Sequence, residues 1–239
     1  MILSTKAIIL KNIKYGDSSL ILHTYTEEKG LRNYIINGVR SAKSKIPAAA
    51  FQVGNLLDIV AYEKTEQQLN RIKEVNIQTV FKTIPFEIKR GATAQLMMEI
   101  VGKCIQEIEP NPILFQFLSS SLQHLDEATI TVKNFFLYFM IHFTNYLGFF
   151  PGGQFRKNCY FDLKEGIYML DKSSTHHFIQ PQLSEKLYQF TLSNFENYHS
   201  IEMDRKSRNE LFFELEKFYQ FHIENLKPFE CYRVWQELL

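Results

Sequence analysis

The 239-residue sequence predicts an α+β chain of more than one domain: an N-terminal five-stranded β-barrel, then an α-helical bundle with a small inserted β-hairpin. Three observations carry this reading. Up to about residue 80, short runs rich in β-branched and aromatic residues alternate with turn signals, which is the pattern of strands. Beyond Pro85 the apolar spacing lengthens to three and four residues, the pattern of amphipathic helices. Residues 158–170 then return to alternation about the turn Lys164-Glu165-Gly166. The expected domains are 1–80 for the barrel and 81–239 for the helical part, with the hairpin inside a segment of about 155–180.

The strands follow in order as KAIIL, LILHTYT, LRNYIING and NLLDIVAYE, with a fifth within residues 68–77. Turns between them fall at Tyr15-Gly16-Asp17, Glu28-Lys29-Gly30 and Gly54-Asn55. Five short strands in this length suit a small closed barrel. Among such barrels the oligonucleotide/oligosaccharide-binding (OB) fold matches the strand count and holds its ligand on one strand face and the adjoining loops.

In the helical part a first apolar stripe runs Leu96/Met97, Ile100/Val101, Cys104/Ile105 and Ile108, and ends at Glu109-Pro110-Asn111-Pro112. A second runs Leu114, Phe117/Leu118, Leu122 and Leu125. A third, from Val132 to Leu147, stops at Gly148 with Pro151 just beyond, as helix C-termini commonly do. The last long helix is predicted from about Lys206 to Leu226, with Ser207 and Glu210 at capping-box spacing.

The formal net charge is +1, but residues 1–84 hold 12 Lys+Arg against 7 Asp+Glu, hence +5, and the remainder is −4. Such an asymmetry suggests that the N-terminal part meets a polyanion. Cys104, Cys159 and Cys231 are odd in number and widely spaced, which argues against a disulfide framework and fits a reducing compartment. The start MILSTKAIIL lacks the charged and long apolar regions of a secretory signal, so a cytoplasmic protein is expected. The apolar run at 135–150 is shorter than the roughly 20 residues a bilayer requires and contains His142, Thr144 and Asn145. A buried helix is expected there.

No GxGxxG, phosphate-loop lysine, GxSxG or HExxH motif occurs, which disfavours an enzyme. Cys159, His176 and His177 offer three possible zinc ligands, two of them adjacent in sequence, with no C-x-x-C pair. A semi-buried cysteine with two loop histidines is the simpler account. The basic segment differs in kind: Lys29, Arg32, Arg40, Lys43 and Lys45 follow one another with no acid between, Tyr34 lies among them, and Gly30 and Gly38 let the backbone turn. Cations that track phosphates together with rings that stack on bases are how single-stranded nucleic acid is held. These six residues are the candidate DNA contacts, the five cations for phosphates and Tyr34 for a base. The alternative is a solvated charged face with a core aromatic. Were all five cations on phosphates, the single-strand salt slope would be about −3.5.

The string YGDSSLILHTYTEEKGL followed by NGVRSAKSKI resembles the N-terminal domain of the bacterial recombination mediator family RecO. The resemblance continues through FQVGNLLDI, IKRGATAQLMMEIVGKCIQEIEPNPILFQFL and NYLGFFPGGQFRKNC, so it covers essentially the whole chain. It implies an OB barrel, a helical bundle and, in many members, a four-cysteine zinc element after a Gly-Phe-x-Pro segment. Here Gly148, Phe149 and Pro151 match and Cys159 stands at the first cysteine, but the others are absent. The resemblance therefore implies a metal-free hairpin, expected to be held by Tyr160, Ile167 and Tyr168.

It also implies a non-catalytic role with no cofactor, small-molecule substrate or membrane. Such proteins bind single- and double-stranded DNA and anneal complementary strands. With RecR they help RecA displace the single-strand-binding protein SSB, whose C-terminal tail they engage through the helical domain. Two other readings of the residues stay open: an RNA-binding OB-fold protein and a non-catalytic protein adaptor.

Overall fold

The computed structural model describes residues 1–41, 46–64, 69–105, 109–172 and 176–238, and divides into two compact units, Met1–Glu127 and Ala128–Leu239.

In the first unit, strands β1 (Ile2–Tyr15), β2 (Ser19–Thr26), β3 (Gly30–Ile36), β4 (Leu56–Tyr62) and β5 (Asn70–Ile77) close a barrel in the order β1-β2-β3-β5-β4. All neighbours are antiparallel except β3 and β5, which pair in parallel at Tyr34↔Asn70 and Ile35↔Arg71. This is the five-stranded Greek-key barrel the sequence predicts. Alternate residues fill its interior, among them Ala7, Ile9, Leu20, Leu22, Ile36, Leu57 and Ile59, with Phe51 from a 3-10 turn at Ala48–Phe51. A bulge between Ile9 and Lys11 re-aims β1. Beyond it β1 pairs with β2 alone, and Lys11, Asn12, Ile13, Lys14 and Tyr15 are all exposed.

Two helices complete the unit, α1 (Ile88–Cys104) and α2 (Pro112–Asp126). Pro112 opens α2 and the Asn111 side chain accepts from the Leu114 N–H at 3.0 Å, a local signal that sets the start. Gly54, beside Leu122 and Ala94 of the helices, is set by its backbone: its φ is +87°, a conformation that a side chain would strain.

Asp126 ties the chain leaving the barrel to the end of α2. Its carboxylate accepts the backbone N–H of Lys82 (2.7 Å), Thr83 (2.7 Å) and Ile84 (2.9 Å), and the Thr83 hydroxyl donates to its carbonyl at 2.7 Å. Burial pushes the carboxyl pKa up, but these hydrogen bonds outweigh it and hold the pKa below the ordinary carboxylate value. A group whose folded pKa is depressed stabilises above its unfolded value, and the contribution is lost as pH falls through the folded one. Asp126→Ala is expected to cost about 1–3 kcal/mol at neutral pH by chemical denaturation. The gap between wild type and variant should narrow below about pH 4. A gap of the same size at pH 3 would assign the cost to packing instead.

The second unit is built round α3 (Phe135–Tyr146), in which every side chain from Phe135 to Ile141 is buried. The run expected to be a buried helix is one. Among the described residues no helix is long and apolar enough to cross a membrane. Strands β6 (Tyr160–Asp162), β7 (Ile167–Met169) and β8 (Phe178–Ile179) form a small sheet in the order β7-β6-β8. Helices α4 (Pro181–Thr191), α5 (Arg205–His222) and α6 (Cys231–Leu238) follow.

Several sequence expectations are corrected here. The hairpin gains a third strand, β8, and its grip comes from Phe161, Leu163 and Tyr168, because Ile167 is 41 % exposed and Tyr160 half-buried. Helices α4 and α6 were not anticipated. The cap of α5 is Asp204, which accepts from the Ser207 N–H at 2.7 Å, so the helix starts ahead of the expected Ser207-Glu210 box and ends at His222. Ile108 of the first stripe lies outside the described residues.

Candidate nucleic-acid interface

The parity of β3 decides which of the six candidate residues face outward. In a strand successive side chains alternate, so Arg32, Tyr34 and Ile36 share one face while Leu31, Asn33 and Ile35 share the other. The first set points into the barrel: Arg32, Tyr34 and Ile36 are 4 %, 0 % and 7 % exposed. The Tyr34 hydroxyl donates to Glu63 Oε1 at 2.9 Å, and the Asn70 amide donates to Glu63 Oε2 at 3.1 Å. Burial, then the Glu63 charge and hydrogen bond, hold the Tyr34 phenol far above its ordinary pKa. The Arg32 guanidinium donates to the Leu31 carbonyl at 2.7 Å. The expected surface roles of these two residues are therefore corrected: a ring that fills the barrel does not present its face to a base, and Arg32 is enclosed with it.

Of the remaining cations, Lys29 and Arg40 lie at opposite ends of β3. Lys29 sits at the β2–β3 turn beside Glu27 and Glu28, where Glu27 pairs with Lys6 at 3.2 Å. Arg40 lies past the opposite end of β3, a strand of seven residues. At roughly 3.3 Å per residue the two are some 20 Å or more apart. Lys43 and Lys45 lie outside the described residues.

Arg40 is exposed and held. Gly38, at φ +76°, turns the chain after β3, and the Arg40 N–H then donates to the Ser18 carbonyl at 3.0 Å. Its guanidinium donates to the Gly16 carbonyl at 3.2 Å. The loop is thereby fastened to the β1–β2 turn, beside Lys14 and the 54 % exposed ring of Tyr15, with Lys11 further along the projecting hairpin and Asp17 as a counter-charge. Sequence reasoning missed Lys11, Lys14 and Tyr15. The signal was the string KNIKYGD, two lysines and a tyrosine entering a turn, which was legible only as the turn.

The zinc reading does not fit. The Cys159 thiol is buried and lies 3.8 Å from the Ser184 hydroxyl, whereas His176 and His177 are exposed and the His177 ring packs 4.8 Å from that of Phe221. Among the described residues no group of three His, Cys, Asp or Glu side chains could hold a metal ion.

A closed Greek-key barrel with cations and an exposed ring about one turn, continued in the same chain by helices and a small sheet, defines a multidomain OB-fold protein. The chain belongs to the RecO family of DNA repair proteins. Residues 1–81 match the family model for Recombination protein O N terminal, and residues 85–228 that for Recombination protein O C terminal. It is 32 % identical to the DNA repair protein RecO of Christiangramia forsetii, over the whole of this chain and 99 % of the relative. Proteins of the same name from Flavobacterium johnsoniae and Phocaeicola vulgatus are 31 % and 27 % identical, each again over 100 % of this chain and 99 % of the relative.

Proposed function

We propose that this chain is a non-catalytic DNA-binding mediator that acts in the bacterial cytoplasm at the nucleoid. Its barrel holds the sugar-phosphate backbone through Arg40 and through Lys11 and Lys14 on the two faces of the projecting hairpin, with Lys43 and Lys45 next in sequence after Arg40 and Lys29 a minor contact at the far turn. The observation that supports this most is the fastening of Arg40 to the β1–β2 turn, which brings a cation from the loop after β3 to the turn that Lys14 enters. Phosphate contacts position a protein without reading bases, so no sequence preference is expected. Neutralising phosphates on two strands lowers their mutual repulsion, which is what annealing of complementary strands needs.

The division of labour is part of the proposal: the barrel carries single- and double-stranded DNA, and the helical domain docks proteins. RecR, the SSB tail and, indirectly, RecA are the partners that membership of this family suggests. A fragment meant to isolate the DNA-binding part should end after Glu127 and not near Thr83, because Asp126 holds the backbone of residues 82–84.

Titration of a labelled single-stranded oligonucleotide at several salt concentrations tests the electrostatic core of this reading. Three phosphate contacts give a slope of about −2, and a roughly 20-fold loss between 50 and 200 mM salt. Affinity that ignores salt, or no binding in dilute buffer, would sink the reading. Tighter binding of RNA than of DNA of the same sequence would instead favour an RNA-directed barrel, since the 2′-OH is the distinguishing group.

A further inference from the structure

The outer surface of the barrel carries a continuous cross-strand row that the basic loop does not include. Register aligns Ile13 of β1 with Ile21 of β2, Ile21 with Ile35 of β3, Ile35 with Arg71 of β5, and Arg71 with Tyr62 of β4. Each of these is the outward member of its strand, because the alternate residues, Leu20, Leu22, Tyr34, Ile36, Ala61 and Ile72, fill the interior. Neighbouring strands are roughly 4.8 Å apart, so the row runs about 19 Å along the curved wall and, the barrel being closed, winds round it. Its far flank is Ile2, paired with Tyr62 and 56 % exposed.

Tyr62 is the chemically distinct member. Two other barrel tyrosines, Tyr25 and Tyr34, are 1 % and 0 % exposed, whereas Tyr62 is 43 % exposed at the end of its strand. An aromatic ring left at the surface beside an exposed Arg71, and continued by three partly exposed isoleucines, is a place where a planar ligand can stack while its charged linkage meets a guanidinium. Nearby Lys73 is engaged by Glu74 at 2.9 Å, which leaves Arg71 as the cation of this row.

We propose that Tyr62 and Arg71 form a second contact for nucleic acid, specific to single strands. Tyr62 stacks on an unpaired base, Arg71 meets the adjoining phosphate, and Ile35, paired with Arg71, adds apolar contact beside it. The inference rests on the DNA-binding reading and deepens it. Arg40 and its lysines engage phosphates of either DNA form, while a stacking ring has a partner only where a base is free of its duplex.

The test uses the full chain, labelled oligothymidylate and a duplex of the same length, with Tyr62→Leu, Tyr62→Phe and Arg71→Ala. Tyr62→Leu should weaken single-strand binding roughly tenfold and duplex binding less than twofold, whereas Tyr62→Phe, which keeps the ring face, stays close to wild type. Arg71→Ala should make the single-strand salt slope shallower by about 0.7. Wild-type single-strand affinity in Tyr62→Leu, an equal loss on duplex, or an equal loss in Tyr62→Phe each overturns the stacking role. If the unaltered chain binds neither DNA form in dilute buffer, the DNA-binding reading itself falls, and this inference with it.

Discussion

Replacing Lys11, Lys14 and Arg40 together by glutamate is expected to weaken single-stranded DNA binding by about a hundredfold at low salt, and duplex binding by a similar factor. Losing three phosphate contacts removes about two units of salt slope, and three new negative charges add repulsion at the same rim. Stability should fall by no more than about 1 kcal/mol, because all three side chains are exposed and, among the described residues, only the Arg40 hydrogen bond to the Gly16 carbonyl is lost. The informative control is Lys29→Glu. Lys29 lies at the opposite end of β3, among Glu27 and Glu28, so that change should lower affinity only slightly. A triple variant that folds and binds like wild type would move the interface away from the β1–β2 turn. A large effect of Lys29 alone would place it at the far turn.

The largest stability effect is expected at Trp235. Helix α6 has eight residues and presents two rings inward, Trp235 and Tyr232, both 1 % exposed. Trp235 lies 4.1 Å between ring centroids from Phe136 of α3, and Tyr232 stacks on Phe212 of α5 at 3.3 Å. The Tyr232 hydroxyl donates to the Asn209 side chain at 2.7 Å, and Arg205 donates to the Gln236 carbonyl at 2.6 Å. Helices this short are marginal in water by themselves, so α6 exists because these rings dock it. Trp235→Ala should therefore cost about 3–5 kcal/mol and release the helix, seen as a lower midpoint and lost helical signal in circular dichroism. DNA affinity should stay within about twofold of wild type if the barrel carries the DNA. Since the chain has one tryptophan, the wild-type emission reports on the second unit alone. A midpoint unchanged by the substitution would mean that α6 contributes nothing to its unit.

Much of the helical part was legible because its signals are local. Pro112 after Asn111, and Gly148 with Pro151 behind it, bound α2 and α3 to within a few residues of the expected stripes. Helices α4 and α6 escaped for a physical reason. Each is short and buries few side chains, Ser184, Leu187 and Phe190 in one and Tyr232 and Trp235 in the other, too few to display a period. Strand β8, two residues long, has no periodicity at all.

The candidate site was legible in its region and not in its members. Five cations in one stretch of chain look concentrated when counted along the sequence. Folding separates Lys29 from Arg40 and encloses Arg32, because a strand sends alternate residues to opposite faces and sequence neighbours at its two ends to opposite rims.

By itself the sequence determined the order of barrel and helices, the five strands and the family, since turn residues and apolar spacing act over a few residues and persist whatever the chain packs against. Only the tertiary structure decided which charges share a surface. Closure of the barrel buried Arg32 and Tyr34, the β1 bulge turned Lys11 outward while Lys14 is exposed on the projecting hairpin, and the Gly16 and Ser18 carbonyls drew Arg40 to the turn. Those outcomes depend on strand register and inter-strand hydrogen bonds between residues far apart in the chain, and no local pattern encodes them.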